Sequence, residues 1–190
     1  MALGRGALGG GGGGVYPRGG GGAGRSATCG KTFEFEGGEP AGQGGAFRRL
    51  GATKVAVFTV VNAVGAIVDR DGTVVRGHLD RATGTRGPLV AGVEARIGRG
   101  EPLTHLRGNT TLTVVATNRQ LERRPLAQLG RQVHASMARA IHPFHALGDG
   151  DVLYTVSTRE ADDPSVDVTT LGVVASELAW DAVLSCFDPH

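Results

Sequence analysis

Cysteine is scarce in this 190-residue sequence: Cys29 and Cys186 are the only two. Two thiols cannot build a dense disulfide framework, so the pattern fits a reducing compartment. No apolar run approaches the roughly 20 residues that a membrane-spanning helix needs. The opening carries glycine where a secretory leader needs an apolar core. Net charge is nearly absent as well, at +2, and the arginines do not gather on one segment. That balance argues against nucleic acid as a partner. These absences predict a soluble, cytoplasmic protein with neither nucleic-acid nor membrane partners.

What is present is ordinary for a globular chain, with 40% hydrophobic and 20% charged residues and a length that suits one domain. Glycine is the exception. More than half of the 33 glycines precede Ala52. A run such as Gly9 to Gly14 loses much entropy on ordering and buries nothing. Residues 1–51 therefore read as glycine-rich, largely disordered or at most a partial domain start, with order beginning near Lys54 and the domain proper over 52–190. Gly24-Arg25-Ser26-Ala27-Thr28-Cys29-Gly30-Lys31-Thr32 ends like a phosphate-binding loop. Such a loop needs glycine where Arg25 stands and an apolar strand before it, so it reads as a plain glycine-rich loop.

Val55 to Val61 is a nearly continuous apolar run, which predicts a strand buried on both faces. Asn62 follows, then Ala63 to Val68. A polar amide between two apolar runs must find hydrogen-bond partners. It is either a bulge residue that ties down neighbouring backbone or a donor aimed at a site. Asp71-Gly72 predicts a hairpin turn before Thr73-Val74-Val75. Residues 76–107 show little periodicity and read as a long connector, functional or mobile.

The connector ends at a polar knot, Gly108-Asn109-Thr110-Thr111, which runs into the alternating strand Leu112 to Thr117. The knot is either an ordinary turn or a cleavage site. If the Asn109–Thr110 bond broke, Thr110 would become a new N-terminus, with its hydroxyl as nucleophile and its own amine as base. A mobile, exposed segment before that bond would give the backbone room to distort.

Pro125 opens a helix whose apolar stripe runs through Leu126, Leu129, Val133, Met137, Ala140 and Ile141 and stops at Pro143. His142 and His145 flank that proline without zinc-ligand spacing, so no metal is expected. Gly148-Asp149-Gly150-Asp151 leads into a strand over Val152 to Ser157. It is either a turn or a carboxylate pair that orients a hydroxyl or ammonium group. Asp167 or Thr169 caps a last helix through Trp180 to Leu184. Strand, hairpin, linker, strand, helix, strand, helix predicts a sheet covered by helices, α/β or α+β.

Taken in order, Val60-Val61-Asn62-Ala63-Val64-Gly65, Gly108 to Asn118, Met137 to Pro143 and Gly148-Asp149-Gly150-Asp151 resemble the L-aminopeptidase/D-esterase family. These are DmpA-type self-processing peptidases that include β-peptidyl aminopeptidases and a pantetheine hydrolase. Gly24 to Lys31 resembles a further glycine-rich stretch of that family, which would make the loop ordered. The resemblance implies an αββα sandwich of the DmpA/ArgJ-like type, incomplete at the N-terminal side because family members are longer there. A sheet edge would then lie open. It implies a precursor cut at Asn109–Thr110 into an α chain ending with 52–109 and a β chain of 110–190. Thr110 would be the nucleophile, Asn62 would help hold the oxyanion, and Asp149 and Asp151 would orient the nucleophile and its amine. Neither cofactor nor metal is implied. The implied substrate is a peptide or amide with a free N-terminal amine, or a pantetheine-like amide, and the implied assembly a homo-oligomer of cleaved protomers. The alternative is a shortened, non-catalytic remnant of the same family.

Overall fold

The computed structural model describes residues 16–33, 38–101 and 109–187. In chain order its strands are β1 (Thr28–Cys29), β2 (Glu39–Pro40), β3 (Gln43–Leu50), β4 (Thr53–Val60), β5 (Ala66–Val68), β6 (Val74–Arg76), β7 (Leu79–Asp80) and β8 (Thr85–Arg86), followed by β9 (Leu112–Arg119), β10 (Ile141–His142) and β11 (Val152–Ala161). The α-helices are α1 (Leu89–Gly98), α2 (Arg123–Ser136) and α3 (Val168–Leu184).

The main sheet has the order β11–β9–β4–β3. β3, β4 and β9 pair antiparallel, and β9 pairs parallel with β11. A parallel pair needs a crossover, and α2 supplies it. α2 and α3 pack together against one face of the sheet. Val55 and Val57 of β4 and Val115 of β9 meet Leu129, Val133, Leu171, Leu178 and Val183 in one core. Asp167 caps α3 by accepting from the Thr169 and Thr170 N–H groups at 2.6 and 2.9 Å, one of the two caps expected.

Several expectations are corrected. β4 is buried on one face only: Val55, Val57 and Thr59 are buried, whereas Ala56, Phe58 and Val60 are half-buried. On that second face Leu112, Tyr154, Val156 and Phe47 are 46%, 59%, 48% and 61% exposed. A continuous apolar run cannot distinguish a doubly buried strand from one whose second apolar face stands open. Order also begins well before Lys54, because β3 pairs along the whole of β4. Glycine there serves close approach, not disorder: a Cβ on Gly44 would lie 1.9 Å from the Ala182 carbonyl oxygen of α3. Residues 1–15 of the glycine-rich opening lie outside the described residues. Finally, the expected connector holds the β7–β8 hairpin and α1. Leu89, Val93 and Ile97 recur four apart in α1, yet none of its residues is buried, so this stripe meets no core.

The helix expected to run to Ile141 ends at Ser136. Met137–Arg139 form a 3₁₀ turn, and Ile141 joins β10 beside β5. No helix among the described residues is long and apolar enough to cross a membrane.

Candidate active site

Sheet register brings the three polar knots together. Leu112 pairs with Val152, and three residues earlier Asn109 bridges Asp149 in the same parallel sense. Gly150 and Asp151 therefore run beside Thr110 and Thr111. On the other side β4 and β9 pair Val60 with Leu112. Two residues beyond each, the Thr110 N–H donates to the Asn62 carbonyl at 2.8 Å. Thr110, Asn62, Asp149 and Asp151 thus meet at one end of the sheet, with Thr110 on the strand between the other two.

The peptide bond before Thr110 is gripped from both sides. Its N–H is held by Asn62, and its carbonyl oxygen, that of Asn109, accepts from the Gly150 N–H at 2.9 Å. The Thr110 hydroxyl donates to the same oxygen at 2.5 Å. Asn109 is only 5% exposed. The exposed, mobile segment expected before this bond falls on residues 102–108, outside the described residues, and Asn109 itself is fixed.

Asp151 ties the corner together. One carboxylate oxygen accepts from the Thr111 N–H at 2.7 Å and the other from the His145 N–H at 2.9 Å. It therefore reaches the backbone one residue past Thr110. One oxygen of Asp149 accepts from the Val64 N–H at 3.2 Å, and the other meets no donor among the described residues. Burial first, then the neighbouring Asp151 carboxylate, push the Asp149 pKa up to about 6, against the pull of the Val64 N–H and Lys31.

Lys31 completes the group, and the residue pattern alone gave it no role. Its buried ammonium donates to Asn62 Oδ1 at 3.0 Å, and the Thr28 N–H donates to the same oxygen at 3.3 Å. Two donors on Oδ1 fix the amide's orientation and turn its NH₂ end away from them. Asn62 therefore ties down neighbouring backbone, one of the two roles its place in the chain left open. Burial lowers the Lys31 pKa, partly offset by Cys29 and Asp149. Gly30 brings the lysine here by donating its N–H to the Gly65 carbonyl, as the Lys31 N–H does to Val64, both at 2.7 Å. Gly150 is the other residue the sequence left unmarked. The signal for both was the glycine beside a charged residue, which a turn explains equally well.

Beyond the Gly30–Lys31 loop opens a cavity of about 540 Å³, lined among others by Phe33, His78, Pro88, Ala91 and Arg96. The His145 ring packs edge-on against His134, 4.8 Å between centroids.

A mixed sheet backed by helices is a fold that the chain shares with solved aminopeptidases. The chain superposes on a β-aminopeptidase of Burkholderia sp. with TM-score 0.57 and 18% identity, over 91% of this chain and 47% of that one. It superposes equally on the L-aminopeptidase D-Ala-esterase/amidase of Ochrobactrum anthropi, with TM-score 0.56 and 17% identity over 91% and 45%. The latter is described as a new variant among the Ntn-hydrolase fold. The profile of peptidase family S58 matches residues 4–188, and the chain belongs to that family. The 6-aminohexanoate-oligomer endohydrolase of Paenarthrobacter ureafaciens is 45% identical over 96% of this chain and 54% of its own length. The chain thus spans about half the length of that curated relative.

Proposed function

We propose that this polypeptide is a self-processing N-terminal-nucleophile amide hydrolase, cut between Asn109 and Thr110, so that 52–109 ends an α chain and 110–190 forms the β chain. The observation that carries this is the Thr110 hydroxyl, 2.5 Å from the oxygen of the carbonyl it would attack. In the precursor Thr110 Oγ1 adds to the Asn109 carbonyl, the C–N bond breaks, and water hydrolyses the resulting ester. In the mature enzyme the same hydroxyl attacks a substrate amide. The freed Thr110 amine takes its proton and returns it to the leaving amine. Asn62, oriented by Lys31, supplies a donor to the developing oxyanion. Asp151 fixes the nucleophile's strand, and Asp149 sets the charge beside the new amine. The chemistry calls for no cofactor or metal.

The family resemblance favours peptides or amides with a free N-terminal amine as substrates. The curated relative favours a second reading, internal amide bonds of linear aliphatic oligoamides. Intact mass of the purified chain tests the proposal. Two fragments meeting at Asn109–Thr110, lost in Thr110→Ala, support it. A single uncut chain that hydrolyses no aminoacyl amide or 6-aminohexanoate oligomer would mean a non-catalytic remnant of the family. The mass of the second fragment separates Thr110 from Thr111 as nucleophile.

A further inference from the structure

We infer that the backbone N–H of Gly150 is an oxyanion donor for scission of the Asn109–Thr110 bond, and that residue 150 must be glycine because the attacking hydroxyl occupies the space of its missing side chain. The inference rests on the self-processing reading above. When Thr110 Oγ1 adds to the Asn109 carbonyl carbon, negative charge collects on the carbonyl oxygen. The Gly150 N–H already points at that oxygen from 2.9 Å. A donor in place before reaction needs no reorganisation as the charge appears, which is where such groups gain most. The hydroxyl proton ends on the Thr110 nitrogen as the C–N bond breaks. Water then converts the ester to the Asn109 carboxylate and restores the hydroxyl.

The second half of the inference is steric. A Cβ at position 150 would lie 2.6 Å from Thr110 Oγ1, with the Asn109 oxygen at 3.4 Å. Gly150 is not among the glycines with left-handed backbone. A side chain there would meet no backbone strain, and its first conflict would be with the nucleophile. Glycine at this point of the Asp-Gly-Asp segment is therefore explained by the hydroxyl, not by a turn. The parallel register that sets Asp149 beside Asn109 also delivers this N–H. After the cut, the donor faces the position where the carbonyl of a substrate would arrive.

The test is the time course of intact mass for chains made by cell-free synthesis. The wild type is expected to cut, and Gly150→Ala to cut at least about 100-fold more slowly, the cost of displacing a reacting atom by an ångström. Thr110→Ser in the Gly150→Ala background should recover at least tenfold, because serine lacks the γ-methyl and its hydroxyl can rotate clear. Gly150→Ala combined with Thr110→Ala should melt like Thr110→Ala alone, since removing the hydroxyl makes room for the new methyl. Gly150→Ala cut at close to the wild-type rate overturns the inference alone, as does a double alanine variant that fails to fold. A wild-type chain that stays whole overturns the self-processing reading and this inference together.

Discussion

Thr111 and Asp151 face each other across the parallel pair that carries the site, the Thr111 N–H donating to the Asp151 carboxylate at 2.7 Å. The same carboxylate accepts from the His145 N–H, so one side chain holds both the segment entering β9 and the loop beside it. Asp151→Ala leaves two backbone donors without their acceptor, one of them buried. It should lower unfolding free energy by about 3 kcal/mol and halt processing. Asp151→Asn keeps one acceptor and should fall between. Urea unfolding followed by tryptophan fluorescence checks both.

The raised Asp149 pKa has a definite sign in stability. The folded chain holds this proton up to about pH 6, against an ordinary value of 3.8. Its contribution is complete below the unfolded pKa and is lost as pH rises through 6. Asp149→Asn removes the ionisation. The variant should match the wild type near pH 4 and exceed it by on the order of 1–2 kcal/mol at pH 8. Urea midpoints at the two pH values decide; an equal gap at both would contradict the assignment.

Lys31 touches Asn62 directly. Lys31→Met keeps most of the buried volume and removes one of the two donors on Asn62 Oδ1. Processing should slow roughly tenfold to 100-fold, the range for weakening one oxyanion donor, with fold content by circular dichroism unchanged. Lys31→Arg should restore part of the rate.

The open sheet face gives a prediction remote from the chemistry. Phe47 and Tyr154 are 61% and 59% exposed. Replacing either with lysine should change stability by under about 0.5 kcal/mol, while lowering binding of an anilinonaphthalene dye.

Much of the frame was legible in the residues, and the reasons differ from element to element. β9 and β11 announce themselves by alternation and by a polar knot three residues ahead of each. α2 shows through its Leu129–Val133 stripe and α3 through Asp167, because caps and stripes are local signals. Thr110, Asn62, Asp149 and Asp151 came from linked motifs, and the register explains why three distant segments belong together. β3 was hidden because its first residues include glycines, whose role is contact rather than pattern. α1 was hidden because Gly87-Pro88 before it and Gly92 and Gly98 within it mark the stretch as connector. Lys31 and Gly150 were hidden because their roles exist only across strands: one orients another residue's amide, and the other acts through its main chain.

Gly30 and Gly42 press backbone on backbone. A Cβ on Gly42 would strike the Gly19 carbonyl at 2.1 Å, and one on Gly30 would strike Gly77 at a similar distance. A segment that composition marks as filler is in consequence among the least replaceable in the molecule. A saturation library should tolerate fewer substitutions at these bare positions than at most of the leucines and valines of the interior.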